Sequence, residues 1–286
     1  MSSIMMRWLI LVLLLVALAG AVYFGPEMLA YYKELRRPTG QVIAVELPGG
    51  ASMEMVWIGR GSFPMGSPAD ESGRDQNEGP QHQVKISRGF YIGKYEITQA
   101  QWVSVMGTRP WAGKSNVIEH PEHPAMHISW DDVQLFIRRL DERAGARGYR
   151  LPTMAEWEYA CRAGTETPWS FGEDESELKK YAWYSENAWE VGERYAHAVG
   201  TKLSNPWGLY DMHGNVWEWV QDWYSNEPYR NPQKVDPKGP EKGFLRVGRG
   251  GAFGNYSHVL RSANRSGGDP TSRNAGTGAR LVFQEP

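Results

Sequence analysis

From Gly164 to the carboxyl end, no stretch of this chain keeps a helical or a strand period for long. Short apolar runs at Gly208–Tyr210, Val216–Val220, Phe244–Val247 and Arg280–Phe283 are separated by long segments rich in turn residues. A structureless loop of that length usually argues against an assignment. Here it recurs across a region dense in Trp and Tyr, so irregularity is the character of the fold. The whole chain supports this: among 286 residues there are 13 Trp, 32 Gly and 18 Pro. That many chain reversals leave gaps between irregular segments, and large aromatics fill them. No internal repeat is present, and nothing divides residues 45–286 into more than one domain.

The first half carries clearer signals. Met53–Ile58 reads as a strand, followed by a glycine-rich turn and an FPMGS stretch at 63–67; residues 68–82 read as an exposed loop, and Val84–Ile97 as one or two strands. Thr98 is placed to cap a helix through Met106, which Gly107 stops. A second helix opens at Ser129 with Asp131 and Asp132 in its first turn, and Trp130, Val133, Phe136, Ile137 and Leu140 share one face. A third opens at Thr153, with Glu156 completing a capping box, and ends at Gly164.

Trp8 to Phe24 is an unbroken apolar run after Arg7. Its length sits at the short end of a membrane span, for which about 20 residues are usual. It also contains Ala17-Leu18-Ala19-Gly20, a sequence a signal peptidase could cut. The expected layout is a signal peptide or transmembrane anchor at 1–25, a linker at 26–44 and one domain at 45–286. Continuation of the apolar run past the small residues tips the reading toward an anchor. Either way the domain is expected outside the cytoplasm, periplasmic or extracytoplasmic, secreted or held at the inner membrane by residues 8–24. With one cysteine, Cys161, no internal disulfide can form. Net charge is −2 with no Lys/Arg block, so no nucleic-acid partner is expected.

Seven stretches together resemble the formylglycine-generating-enzyme (sulfatase-modifying factor) family: MVWIGRGSFPMGS (55–67), YIGKYEITQAQW (91–102), HPAMHISWDDVQLF (123–136), YRLPTMAEWEYACRAG (149–164), NPWGLYDMHGNVWEWVQDWY (205–224), RVGRGGAFGN (246–255) and GARLVF (278–283). They occur in the family's order. The resemblance implies an irregular α+β formylglycine-generating-enzyme fold, C-type lectin-like, with little regular secondary structure.

Within DMHGNVWEW (211–219), Asp211 and Glu218 are carboxylates either side of Gly214. Ca²⁺ takes hard oxygen ligands in irregular geometry, mixing carboxylates with backbone carbonyls. Read from the residues alone, Asp211 caps the turn and Glu218 pairs with a nearby arginine. The resemblance puts a structural Ca²⁺ first, with Asp211, Gly214, Val216 and Glu218 at the ligand positions. Asn187 matches one ligand of a second calcium site in some relatives, but ERYAHAVG (193–200) supplies no obvious partner acid.

The family's oxidase activity needs two cysteines that bind copper. Aligned on Gly250-Gly251, the first position is Asn255 and the second falls at Ser257–Val259. Amide and hydroxyl groups do not replace soft thiolates for Cu(I), so no copper is expected. Cys161 sits in a helix, where it reads as a small buried hydrophobe; some relatives pair a cysteine there with one near the carboxyl end, where this chain has Leu281 or, for another pair, Ser262. His120, His123 and His127 are interrupted by Pro121 and Pro124 and read as loop-packing residues. The arginines at 246, 249, 261, 265, 273 and 280 read mainly as ties between loops. Asn255, Tyr256, His258 and Arg261 form a candidate surface for a peptide or an acidic group.

Two functions follow. One is a regulatory module outside the cytoplasm that binds an envelope protein or peptide partner, as cysteine-less relatives do in activating a type VI secretion Ser/Thr kinase pathway. The inner membrane joins the list of partners if the first segment stays uncleaved. The other is a periplasmic enzyme of altered chemistry, such as relatives in siderophore (pyoverdine) maturation, with Glu218, His258 or Glu156 as acid or base.

Overall fold

Strand β2, Ser52–Ile58, alternates its side chains between two separate cores. Met53, Met55 and Trp57 point to one, Val56 and Ile58 to the other, as the two-residue period of a strand requires. The computed structural model describes residue 34 and residues 36–285 except 145–147, 228, 230 and 231. The apolar run at 8–24 lies outside the described residues. Residues 1–38 and 39–286 form separate units, and the architecture below is that of the second.

β2 lies in a four-stranded sheet with β1 (Val42–Glu46), β5 (Phe90–Gly93) and β10 (Val282–Phe283), in the order β1-β2-β5-β10. The linker expected at 26–44 thus gives way to strand at Val42. On one face pack helices α1 (Gln99–Met106) and α2 (Trp130–Ala144), through Trp102, Val105, Val133, Phe136 and Leu140. Trp102 stacks on Phe136 with ring centroids 5.2 Å apart, joining the two helices. On the other face packs α3 (Met154–Arg162), through Met154, Trp157 and Cys161. Covered on both sides, all four residues of β5 are buried.

The helix starts are set locally. Gln101 N–H donates to Thr98 Oγ1 at 3.2 Å, while Thr98 N–H donates to Gln101 Oε1 at 3.0 Å. Thr153 and Glu156 repeat this reciprocal pair, and so do Ser129 and Asp132. Gly107 ends α1 at φ +69°.

The glycine-rich turn expected before FPMGS gives way to strand at Gly61: β3 (Gly61–Met65) pairs with β4 (His82–Ile86) in a two-stranded sheet. Pro64 is tolerated because a two-stranded sheet leaves each strand one unpaired edge. Gly208–Tyr210 is turn and coil, not strand. The last sheet has the order β8-β7-β6-β9, from β6 (Trp217–Trp223), β7 (Arg246–Arg249), β8 (Ser266–Gly268) and β9 (Thr277–Ala279). β6 and β9 run parallel; the other pairs are antiparallel. A short helix α4 (Leu178–Tyr181) and several 3₁₀ turns complete the described elements.

Candidate functional site

Alternation along β6 sorts its side chains by function. Trp217 and Trp219 face one way and Glu218 the other. In register, Trp219 opposes Gly248, and Gly248 opposes Ser266, while Trp217 opposes Thr277. These residues line the floor of a groove of about 470 Å³. Glycine on β8 is a steric requirement: a Cβ on Gly268 would come within 2.5 Å of the Trp219 ring. One wall is the turn after β7. Gly250 and Gly251 adopt φ +93° and +78°, swinging the chain around to Ala252, Phe253, Gly254 and Asn255. Asn255 Oδ1 accepts from Ala252 N–H at 2.9 Å and locks the turn. Trp189 stands beside Phe253, centroids 6.0 Å apart, and the far side is closed by Asn116 and residues 272–277.

The lining consists only of Asn, Ser, Thr, Gly, Ala, Phe and Trp. It therefore holds no thiol, carboxylate, imidazole or cation. The four surface residues expected from sequence do not share one surface. Asn255 lines this groove; Tyr256 is 56% exposed outside it. His258 and Arg261 line a different cleft of about 570 Å³ with Asp70, Glu71 and Glu173. Arg261 is withdrawn from any free surface: it is buried, with Nη1 donating to Glu71 Oε1 at 2.6 Å and Nη2 to Glu78 Oε1 at 2.6 Å. The groove itself presents no cation to an acidic group; Arg261, the cation of the four, lines the other cleft. Sequence reasoning missed Asn116, Trp189, Ser266 and Asn274, which reach the groove from distant segments. Strand alternation around Glu218 was the one local signal, since it places Trp217 and Trp219 on the opposite face.

The acids in DMHGNVWEW also part company. Glu218 Oε1 receives Arg280 Nη2 at 2.7 Å, and Glu218 Oε2 receives Trp157 Nε1 at 2.7 Å. Both oxygens thus take donors, as the reading of Glu218 as an arginine partner expects. Asp211 instead lies with Glu96. Asp211, at φ +58°, takes Gly200 N–H on Oδ2 at 2.7 Å, and Glu96 Oε1 takes Asn215 Nδ2 at 3.2 Å. Asp211 Oδ1 and Glu96 Oε2 are buried with no donor but each other's carboxyl. Burial drives both acids up, with Glu96 raised well above its ordinary value and Asp211 pushed up to about 6; each other's charge contributes at Glu96. Two buried carboxylates with unserved oxygens fit a hard cation, provided backbone carbonyls complete its shell. Among the described residues, no group of three or more His, Cys, Asp or Glu is arranged as a metal cluster. At Asn187, Oδ1 accepts Tyr184 N–H at 2.9 Å and Nδ2 donates to the Ala182 carbonyl at 2.8 Å.

The remaining candidates are structural. Cys161 is fully buried, its thiol pushed up to about 12 by burial. Ser262, rather than Leu281, is its neighbour, with Oγ 3.6 Å from Sγ. His213 is held down to about 4, chiefly by burial. Its Nδ1 faces the Leu260 carbonyl at 2.8 Å, which requires the proton there and leaves Nε2 to accept from Ser170 N–H at 3.1 Å. His120 and His123 pack edge to face with centroids 5.4 Å apart. Arg249 ties loops: it donates to Glu158 Oε2 at 2.7 Å and to the carbonyls of Ser262, Ala263 and Asn264.

Fold and groove together define a sulfatase-modifying-factor type of domain without its thiol centre. Residues 45–285 match the sulfatase-modifying factor enzyme 1-like domain, and the chain belongs to that family. The formylglycine-generating enzyme of Streptomyces coelicolor is 34% identical over 206 residues, covering 63% of this chain and 60% of that protein. The chain thus spans less than two thirds of that relative. The formylglycine-generating enzyme of Thermomonospora curvata is 29% identical over 293 residues, covering 80% of this chain and 92% of that one. The structure of PvdO from Pseudomonas aeruginosa superposes with a TM-score of 0.76 at 32% identity, covering 87% of this chain and 99% of that one.

Proposed function

We propose that this chain is a non-oxidase member of the family that works outside the cytoplasm as a protein- or peptide-binding regulatory module, with activation of a type VI secretion Ser/Thr kinase pathway as its setting. The observation that carries this reading is the composition of the groove. A 470 Å³ cavity floored by tryptophan and rimmed by amides and hydroxyls can hold a ligand. Without an ionisable group at its surface it has no general acid, base or thiolate to offer. Asn255 stands at the position where the family resemblance places the first redox thiol. Ca²⁺, held by Asp211 and Glu96, would displace the proton their raised values leave on the pair and would fasten the 200–215 loop, a structural role.

The second reading is an enzyme of altered chemistry, of which siderophore (pyoverdine) maturation is the example. The whole-domain likeness to PvdO favours it. The two are separated with the full-length protein. Capture of a stoichiometric envelope partner, with no oxygen uptake on a cysteine-containing peptide, supports the module. Oxygen uptake or peptide turnover that Asn255→Ala abolishes overturns it.

A further inference from the structure

The apolar run at 244–247 is divided by the fold. Val247 is buried in β7, whereas Phe244 is 94% exposed and Leu245 stands open beside it. The two end a loop, residues 234–245, that is bonded to the domain at both ends. At its start, Lys85 N–H donates to the Lys234 carbonyl at 2.8 Å, and Asp236 N–H to the Lys85 carbonyl at 2.9 Å. Asp236 Oδ1 also accepts Ser87 N–H at 2.8 Å. At its end, Tyr224 N–H donates to the Leu245 carbonyl at 2.7 Å. Gly243 packs so close to Trp223 that a Cβ there would lie 2.8 Å from the Trp223 Cβ. Both neighbours of Phe244 are therefore fixed, and the ring is held out into water by a bonded backbone.

The charge of this loop is mostly of one sign. Lys234, Lys238 and Lys242 belong to it, and Lys85 is bridged to Val235; all four are exposed. Of its two acids, Asp236 is engaged by Ser87, which leaves Glu241. An exposed ring can seat in a protein pocket or in a lipid interface, and the lysines favour lipid. Lysine is depleted where proteins meet proteins. Near anionic headgroups it gains from their surface potential, and its stem lies along apolar surface with the charge in water. The chain gives a second reason. Residues 25–38 separate the apolar run at 8–24 from this domain and span at most about 50 Å. With that run as an anchor, the loop meets the bilayer at high effective concentration, so a weak contact suffices.

We propose that residues 234–245 are a membrane-docking loop: Phe244 and Leu245 enter the interface of an anionic bilayer while Lys234, Lys238 and Lys242 meet its headgroups. The inference uses no part of the groove and goes beyond the binding-module reading, which stands or falls separately. One ring and a few lysines bind weakly by themselves, so the contact orients a tethered domain and does not recruit it.

The test uses full-length protein in vesicles of phosphatidylcholine, alone or mixed with phosphatidylglycerol. An environment-sensitive fluorophore is attached at Phe244→Cys or, as a control on another exposed site, at Leu203→Cys; Cys161 is buried and stays unlabelled. The expected result is a blue shift and quenching by brominated acyl chains at 244 in the anionic vesicles, at least fivefold less quenching in the neutral ones, and none at 203. A label at Glu241→Cys, which leaves Phe244 in place, should be quenched as well and lose at least fivefold of that quenching when Phe244→Ser is added. Emission at 244 that is the same with and without vesicles overturns the proposal, and so does equal quenching at 203. Equal quenching in the two lipid compositions overturns the part given to the lysines. A shift that needs an envelope protein fraction and does not occur with lipid gives the loop to a protein partner and overturns the membrane.

Discussion

Arg280 grips Glu218 from inside the domain, Nη2 to Oε1 at 2.7 Å and Nε to Oε2 at 3.0 Å, and neither side chain is open to water. Arg280 Nη1 also holds the Gly93 carbonyl at 2.8 Å, so one guanidinium joins β6 to the central sheet. Removing one partner strands a buried charge. Arg280→Met is expected to lower stability by about 3–5 kcal/mol, whereas Arg280→Met with Glu218→Gln recovers much of that loss. Urea midpoints of the two variants make the comparison; equal losses would contradict the pairing.

Asp211 and Glu96 sit within the field of that same pair, and Arg280 cannot neutralise all three acids. If Ca²⁺ supplies the missing charge, chelation with EDTA should lower the melting midpoint. A cation at about 100 times its Kd adds about 2.7 kcal/mol, roughly 5–10 °C for a domain of this size. Asp211→Asn and Glu96→Gln should each abolish the EDTA response. An unchanged wild-type midpoint under EDTA removes calcium from this site.

Asp222 and His213 oppose each other as pH changes. Burial pushes Asp222 up to about 7 and His213 down to about 4. The folded chain holds a proton on Asp222 that the unfolded chain releases above about pH 4, so this stability is lost as pH rises toward 7. His213 is neutral when folded and charged when unfolded below about pH 6.5, so its stability is lost as pH falls toward 4. Each contributes a slope approaching 1.4 kcal/mol per pH unit, opposite in sign, over that window. Asp222→Asn should therefore make stability rise from pH 4 to 6.5, and His213→Gln should make it fall. Denaturant melts at three pH values decide; two variants with parallel profiles would contradict the assignment.

Cys161, with its thiol pushed up to about 12, should resist iodoacetamide in the folded protein and react only after denaturation. Its neighbour Ser262 offers a second check. Ser262→Cys is expected to pair with Cys161 on oxidation, removing both thiols from titration in denaturant. Closing a loop of about 100 residues should stabilise by as much as ~4.7 kcal/mol, less any strain. Persistence of two free thiols after oxidation would contradict the 3.6 Å approach of the side chains.

What the sequence made legible is what neighbours in sequence decide. α1 and α3 begin at capping boxes formed between residues three apart, and both read correctly from Thr98 and Thr153. β1, β8 and β9 were missed because three to five residues do not show a period, and their strand character comes from partners elsewhere. β3 was hidden by Pro64. In the site, Glu218 was legible from its residues as an arginine partner, and Arg280 is that arginine. The groove itself was illegible: Asn116, Trp189 and Asn274 carry ordinary side chains whose meaning comes from where the loops bring them.

The bonds of Arg249 bear on how such a domain changes over time. They fix the backbone at residues 262–264 from the buried side, out of reach of whatever occupies the rim. Residue 255 is held instead by Ala252, through bonds in both directions at 2.9 Å, and by Ser185, whose N–H donates to the Asn255 carbonyl at 2.9 Å. Scaffold and rim are thus held by different sets of bonds. A lineage can exchange a thiol for an amide at position 255, giving up a reaction while keeping the vessel, and the rest of the chain need not adjust.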